Sequence, residues 1–231
     1  ISLATRSYRD KKVGLDCSNG SAWMIAKSVF DALGAKTYVI NNQPDGLNIN
    51  TNCGSTHIEG LQKFVVDNGL DVGFAFDGDA DRCIAVDENG VEIHGDYILY
   101  VCGKYLKKCG RLQGNTVVAT IMSNSGFFAS LEEAGIKCEQ TNVGDRFVYE
   151  CMQEKGYDLG GEQSGHIIIK KYATTGDGIL TAIMVAEEIC DSKLSLSELA
   201  SPVKLYPQYT KNVRVKDKPA VFKDKAVMDS L

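Results

Sequence analysis

A chain of 231 residues, 44% hydrophobic and 24% charged, has room for one large or two ordinary domains and the balance of a soluble globular protein. Its formal net charge of −5, with Lys and Arg scattered, excludes the basic footprint of a nucleic-acid binder and the polybasic patch of a membrane-surface protein. The eight cysteines form no C-x-x-C pair, no apolar run reaches the length of a membrane span, and the first residues make no signal peptide. Free thiols in a reducing cytoplasm are therefore expected, with neither a disulfide framework nor a zinc site. The chain lacks an initiator Met and stops at Met228-Asp229-Ser230-Leu231, so a fragment of a longer protein is expected.

Apolar runs alternate with segments of helical period, which predicts α/β units with mixed, mostly parallel sheets. Residues 12–17 read as a first strand, 22–33 as a helix ended by Gly34, and 36–40 as the next strand. A polar, turn-rich stretch over 41–55 follows, and then a helix with Ile58, Leu61, Phe64 and Val65 on one face, closed by Gly69. A strand over 72–76 delivers the string Asp77-Gly78-Asp79-Ala80-Asp81-Arg82. Residues 83–87 and 91–93 read as a hairpin around Glu88-Asn89-Gly90, and Asp96 opens a helix. A second set follows with the same rhythm: a strand over 116–121, a helix with Phe127 and Leu131, a strand over 136–141, and a helix with Phe147 and Met152. The stretch 158–169 and a helix with Ile179 and Ile183 complete it. The match between halves is one of pattern, and it predicts two similar three-layer α/β domains side by side. The expected divisions are 1–97, 98–206 and a final 207–231, in which 212–216 reads as an opening strand after Pro202 and Pro207.

The aspartate string carries the chemistry. Asp is depleted in strands and costly to bury unpaired, so three alternating copies after an apolar strand call for a cation or a bed of donors. Hard oxygen ligands suit Mg²⁺, which keeps water or substrate phosphate in its remaining positions. Ligands gather at the carboxyl ends of strands in open parallel sheets, and the string sits at such an end. A solvated Asp-rich turn is the plain alternative. A calcium loop would use Asp77, Asp79, Asp81 and Glu88, but it needs Gly where Arg82 stands and helices where the flanks read as strands.

The second constellation is Gly160-Gly161-Glu162-Gln163-Ser164-Gly165-His166, in which Glu162, Ser164 and His166 alternate as on one face of an extended segment. A carboxylate and a hydroxyl so placed could bind neighbouring sugar hydroxyls; taken in isolation, the string reads first as an ordinary hairpin turn. Val143-Gly144-Asp145-Arg146 before a helix suits an anion, and Thr174-Thr175-Gly176-Asp177-Gly178 reads as helix capping. No G-x-x-x-x-G-K-[ST] or G-x-G-x-x-G string follows a strand.

With D-G-D-A-D-R, T-x-V-G-D-R and G-E-Q-S-G-H present, the chain resembles the α-D-phosphohexomutase superfamily, and its connecting segments, such as Cys53-Gly54-Ser55-Thr56-His57, resemble the phosphoglucosamine mutase branch. The resemblance runs from about residue 12 to 218 and implies a four-domain isomerase-class phosphotransferase. Such an enzyme moves phosphate between O6 and O1 of a hexose through a bisphosphorylated sugar, with a phosphoserine of the first domain as donor. On that resemblance Asp77, Asp79 and Asp81 match the Mg²⁺ ligands, and Arg82 a charge partner of the phosphoserine. Glu162, Ser164 and Gly165 match the sugar-binding loop, His166 a substrate-side acid/base residue, and Arg146 a phosphate or substrate contact. The implied partners are a hexosamine phosphate, the bisphosphorylated intermediate and the missing domains one and four, with no nucleic acid and no membrane. The serine loop T-A-S-H-N-P and the phosphate loop R-P-S-G-T-E-P are absent, so domains two and three with the start of four are expected, without mutase turnover alone. A phosphomannomutase or phosphoglucomutase, a haloacid-dehalogenase-type phosphatase and a metal-stabilised binding module are the rival readings.

Overall fold

The structure, a computed structural model, describes residues 4–209, 214–221 and 223–228. The first sheet holds β1 (Lys12–Asp16), β2 (Lys36–Ile40), β3 (Val72–Phe76), β4 (Cys83–Asp87) and β5 (Glu92–Ile93) in the order β2-β1-β3-β4-β5. β2, β1 and β3 run parallel, and β4 and β5 return antiparallel. β3 is buried along its whole length, as expected of a short apolar run covered on both faces. Helices α1 (Ala26–Ala32) and α2 (Glu59–Asn68) cover it, and α3 (Gly95–Lys108) leads from β4 and β5 onto the second sheet. Leu61 and Val65 of α2 press so closely on Gly73 that a Cβ there would lie 2.6 Å from Val65 Cγ2.

One helix over 22–33 was expected, and the structure divides it. Ser21–Met24 form a 3-10 turn, Ile25 leaves helical geometry at φ −124, and α1 begins only at Ala26. The break has a long-range cause: Ser21 N donates to Gly78 O at 2.8 Å, which draws the first turn toward the aspartate loop.

The second sheet holds β6 (Thr116–Thr120), β7 (Lys137–Thr141), β8 (Leu159–Gly161) and β9 (Ile167–Ile169), with α4 (Ser125–Glu133), α5 (Asp145–Lys155) and α6 (Gly178–Ser192) around it. Its order β7-β6-β8-β9 repeats β2-β1-β3-β4, with parallel and antiparallel pairings in the same places. Gly160 and Gly161 belong to β8 rather than to a loop, because α5 packs where a side chain would stand: a Cβ on Gly160 would lie 2.6 Å from Met152 Sδ. In this alignment the aspartate loop between β3 and β4 and the loop between β8 and β9 are the same hairpin connection, once in each unit.

The units share a core. α3 and α6 pack on each other, and Phe30, Phe74, Ile98, Leu99, Val117 and Phe127 lie in one buried apolar cluster. The segment before β1 is pinned to α6: fully buried Glu187 accepts from Thr5 N (2.6 Å) and from the Tyr8 hydroxyl (3.1 Å). Of the strand expected over 212–216, Asn212 and Val213 lie outside the described residues, and 214–216 form no strand. No helix among the described residues is long and apolar enough to cross a membrane.

Replacing Glu187 by Ala removes the shared acceptor of Thr5 N–H and the Tyr8 hydroxyl, which keeps Ile183 O at 3.1 Å, at about 1 kcal/mol for each hydrogen bond lost. The expected outcome is a clearly lower urea midpoint with an unchanged m-value; an unchanged midpoint would show that the strap contributes nothing.

Candidate functional site

The aspartate loop begins where β3 leaves the sheet. One carboxylate oxygen from each of Asp77, Asp79 and Asp81 lies within 4.8 Å of the others. In an octahedron with metal–oxygen bonds of about 2.1 Å, ligands stand up to ~4.2 Å apart, so small rotamer changes would bring the three to a common centre. Burial, and then the neighbouring carboxylates of Asp81 and Asp79, push the Asp77 carboxyl up to about 6. Arg82 answers part of that charge: its backbone N–H donates to Asp77 Oδ1 (3.2 Å), and its Nε stands 3.8 Å from Asp77 Oδ2 and from Asp81 Oδ1. Asp81 Oδ1 and Arg82 Nε are both buried without a hydrogen bond. Hard oxygens, mutual repulsion and an orphaned oxygen on Asp81 fit a small divalent cation.

The backing of this loop explains its shape. Ala80 takes the left-handed conformation at φ 61, and its carbonyl accepts from Gly178 N at 2.8 Å. Fully buried Asp16, at the end of β1, accepts from Ser18 N and Gly54 N, both at 2.9 Å, and its carboxyl is raised by burial. Gly54, at φ +75, comes so close that a Cβ would stand 2.5 Å from Phe76 O, so the Cys53-Gly54-Ser55 turn forms the wall behind the aspartates.

The β8–β9 loop meets this wall from the other unit. Cys83 N donates to Gly165 O at 3.0 Å, and Gly165 (φ +90) leaves no room for a Cβ beside Cys83 O, 2.4 Å away. A lone bridge pairs Arg82 with His166. His166 is 4% exposed; Gly176 N donates to its Nε2 at 2.9 Å, which leaves the proton on Nδ1 to be donated to Asp81 Oδ2 at 3.0 Å. With both nitrogens engaged, His166 joins the loops. Asp145 Oδ2 stands 3.9 Å from its Nε2.

The expected single face for Glu162, Ser164 and His166 does not form. Gly165 N donates to Glu162 O (3.0 Å), making a turn in which Glu162 Oε1 accepts from Gly144 N (3.0 Å), Ser164 is exposed and His166 points inward. The V-G-D-R string thus reaches the site through Gly144 and Asp145. Arg146 is not brought there: its Nε bonds Glu150 at 2.7 Å on the outer face of α5. Asp177 caps α6 by accepting from Leu180 N at 2.9 Å, and the glycines beside it do more than cap. Cβ atoms on Gly176 and Gly178 would lie 2.6 Å from Asp81 O and 2.3 Å from Arg82 O, so this segment is wedged against the aspartate loop. Sequence reading flagged both strings without finding these contacts, which lie between units.

Two open cavities flank the junction. One of about 500 Å³ is lined by Ser55, Arg82, Glu92, His94, Gln163 and Ser164, and one of about 360 Å³ by Ser21, Asp79, Asp81, Thr175 and Asp177. Arg82 and Ser164 face the first, and two of the three aspartates face the second.

Residues 1–90 match the phosphoglucomutase/phosphomannomutase α/β/α domain II model, and 94–206 match the α/β/α domain III model. The phosphoglucosamine mutase of Lachnospira eligens is 62% identical over 218 residues, covering 94% of this chain and 48% of that protein. That of Clostridium acetobutylicum is 51% identical over 222 residues, 95% of this chain and 50% of that one. The chain spans about half the length of the curated relatives it matches. Among solved structures, a phosphoglucomutase/phosphomannomutase family protein from Burkholderia thailandensis superposes with TM-score 0.74 at 25% identity, over 87% of this chain and 43% of that one. Aspergillus fumigatus N-acetylphosphoglucosamine mutase, solved with GlcNAc-6P and magnesium, shares the fold at TM-score 0.72 and 18% identity, over 88% of this chain and 51% of that one.

Two outcomes follow from the geometry. His166→Ala removes the tie between the loops and orphans Gly176 N–H, and should lower stability by about 2 kcal/mol in urea unfolding; no loss would mean the loops hold each other without it. For Asp77, a carboxyl raised from 3.8 to about 6 holds its proton more tightly folded than unfolded. Its contribution therefore favours the fold fully below pH 3.8 and is lost as the pH rises through 6. The metal-free chain should lose melting temperature between pH 4 and pH 7 through this group, and Asp77→Asn should flatten that part of the decline.

Proposed function

The chain belongs to the phosphoglucomutase/phosphomannomutase family, with the α/β/α domains II and III of its fold, and from that premise we propose that it is the metal- and sugar-binding core of a cytoplasmic phosphoglucosamine mutase. The whole enzyme would interconvert glucosamine 6-phosphate and glucosamine 1-phosphate through a bisphosphorylated sugar. The identity to phosphoglucosamine mutases across most of the chain favours that substrate over mannose or glucose phosphates. The observation that carries the reading is the contact between Asp81 and His166, which sets an acidic trio suited to a cation beside a polar loop suited to a sugar.

Asp77, Asp79 and Asp81 would hold Mg²⁺, which when bound neutralises charge on a phosphoryl group. Arg82, fixed by its backbone bond to Asp77 and facing the larger cavity, would meet phosphate oxygens. Glu162, oriented by Gly144 N–H, and exposed Ser164 would bind neighbouring sugar hydroxyls, which serves both poses that O1 and O6 must adopt. His166 would position Asp81 rather than exchange protons with substrate, since both its nitrogens are engaged. The phosphoserine donor and a clamp for the distal phosphate would come from domains one and four of a longer parent. Residues 1–97 and 98–206 would be its domains two and three.

Thermal unfolding with added ligand tests this. Mg²⁺ at 100 times its dissociation constant should stabilise the chain by about 2.7 kcal/mol, and glucosamine 6-phosphate should add to that. Asp79→Asn should raise the metal-free melting temperature, by relieving repulsion, while reducing the Mg²⁺ response. An equal response in the variant, or none in the parent chain, would contradict the reading, as would conversion of glucosamine 6-phosphate by the chain alone.

A further inference from the structure

The string Gly-Asp-x-Ile-Leu opens two helices: Gly95-Asp96-Tyr97-Ile98-Leu99 on α3 and Gly176-Asp177-Gly178-Ile179-Leu180 on α6. Asp177 behaves as an acidic residue at a helix start does, and caps its own helix. Asp96 does not. The α3 cap comes from His94, whose Nδ1 accepts from Asp96 N at 3.3 Å, and the Asp96 carboxylate turns instead to the β6–α4 turn and the β8–β9 loop.

That carboxylate is fully buried, and none of the ion pairs among the described residues includes it. Its Oδ2 accepts from Asn124 N at 2.9 Å and from Gln163 Nε2 at 3.4 Å, while Oδ1 is buried without a hydrogen bond. A buried carboxylate without a cationic partner costs free energy, and neither helix capping nor ion pairing accounts for this one. What it touches does. On one side, Gly95 N donates to Gln163 O at 2.9 Å, and a Cβ on Gly95 would lie 2.0 Å from Glu162 O, so the start of α3 is pressed against the β8–β9 loop. On the other, the Asn124 side chain donates to Tyr206 O (2.8 Å) and accepts from Tyr206 N (2.9 Å), clasping the segment that leaves the second unit. One carboxylate thus joins the β8–β9 loop, the β6–α4 turn and, through Asn124, the segment at 206.

We propose that Asp96 is a positioning residue for the sugar-binding loop: by holding Gln163 and the Asn124 backbone amide it fixes the turn that carries Glu162 and presents Ser164 to the cavity beside Arg82. The sugar-binding role of that loop rests on the proposed function above; the positioning is tested without any ligand.

Hydrogen–deuterium exchange of the whole chain reads it out. Asp96→Ala should speed exchange about tenfold, the loss of one hydrogen bond's worth of protection, in peptides covering 162–166, 124–126 and 204–208. The peptide covering 59–68, on α2 and away from these contacts, should not change. Asp96→Asn keeps an oxygen acceptor and should restore protection, and Gln163→Ala should speed exchange at 162–166 alone. A uniform rise across the chain in Asp96→Ala without rescue in Asp96→Asn would overturn the proposal. Where Asp96→Ala fails to fold, unchanged exchange at 162–166 in Gln163→Ala would overturn it. Adding glucosamine 6-phosphate separates the two readings: it should protect 162–166 in the parent chain and require about tenfold more ligand in Gln163→Ala. Loosening by the substitutions with no response to glucosamine 6-phosphate in the parent chain would uphold the positioning and remove the sugar reading.

Discussion

The site is organised around one side-chain bond between units, the hydrogen bond from His166 Nδ1 to Asp81 Oδ2, beside the backbone bonds Cys83 N to Gly165 O and Gly178 N to Ala80 O. Three carboxylates on one hairpin connection repel one another, and the matching connection of the second unit carries the polar residues Glu162, Gln163 and Ser164. Neither connection fixes the other through its own strand pairing. Backbone bonds between them and the buried imidazole do so together: Gly176 N–H settles which nitrogen bears the proton, and the proton then points at an aspartate. Gly165, Gly176 and Gly178 are the steric counterpart of that bond, since a Cβ at any of them would meet the opposing backbone at 2.6 Å or less.

The repeated topology gives this junction its form. Both connections occupy the same place in β2-β1-β3-β4 and β7-β6-β8-β9, so packing the units through α3 and α6 sets two equivalent hairpin turns against each other. One turn became acidic and the other polar. The acidic turn sits on a rigid wall built from Asp16 and the Gly54 turn, and it retains an orphaned carboxylate oxygen. Burial first, and then the crowding of like charges, raise the pKa of Asp77.

Much of the local structure was legible in the sequence, because strands such as Val72–Phe76 and Lys36–Ile40 and the Gly69 helix stop are written in hydrophobic period and turn residues. The aspartate string was legible as three carboxylates in one loop for a similar reason: its spacing is local. What the sequence hid is non-local. Gly160 and Gly161 look like loop residues until Met152 is found against the first and the His166 backbone against the second, and the pairing of Arg146 with Glu150, one helical turn away, is not written in the V-G-D-R string. The echo between the α3 and α6 starts, Gly-Asp-x-Ile-Leu in both, is only five residues long, so it gains meaning only when the sheets are laid over each other. The division of the 22–33 helix belongs here too, since its cause is a carbonyl more than fifty residues on.

The central claim is that the loops of the two units form one site around a cation. Nuclear magnetic resonance of the chain titrated with Mn²⁺, a paramagnetic substitute for Mg²⁺, tests it most directly. The expected result is selective broadening of the amide signals of 77–82 together with those of 162–166 and 176–178, reversed by excess Mg²⁺ and absent in Asp79→Asn. Broadening confined to 77–82, or spread over scattered surface acids with no competition by Mg²⁺, would contradict the account.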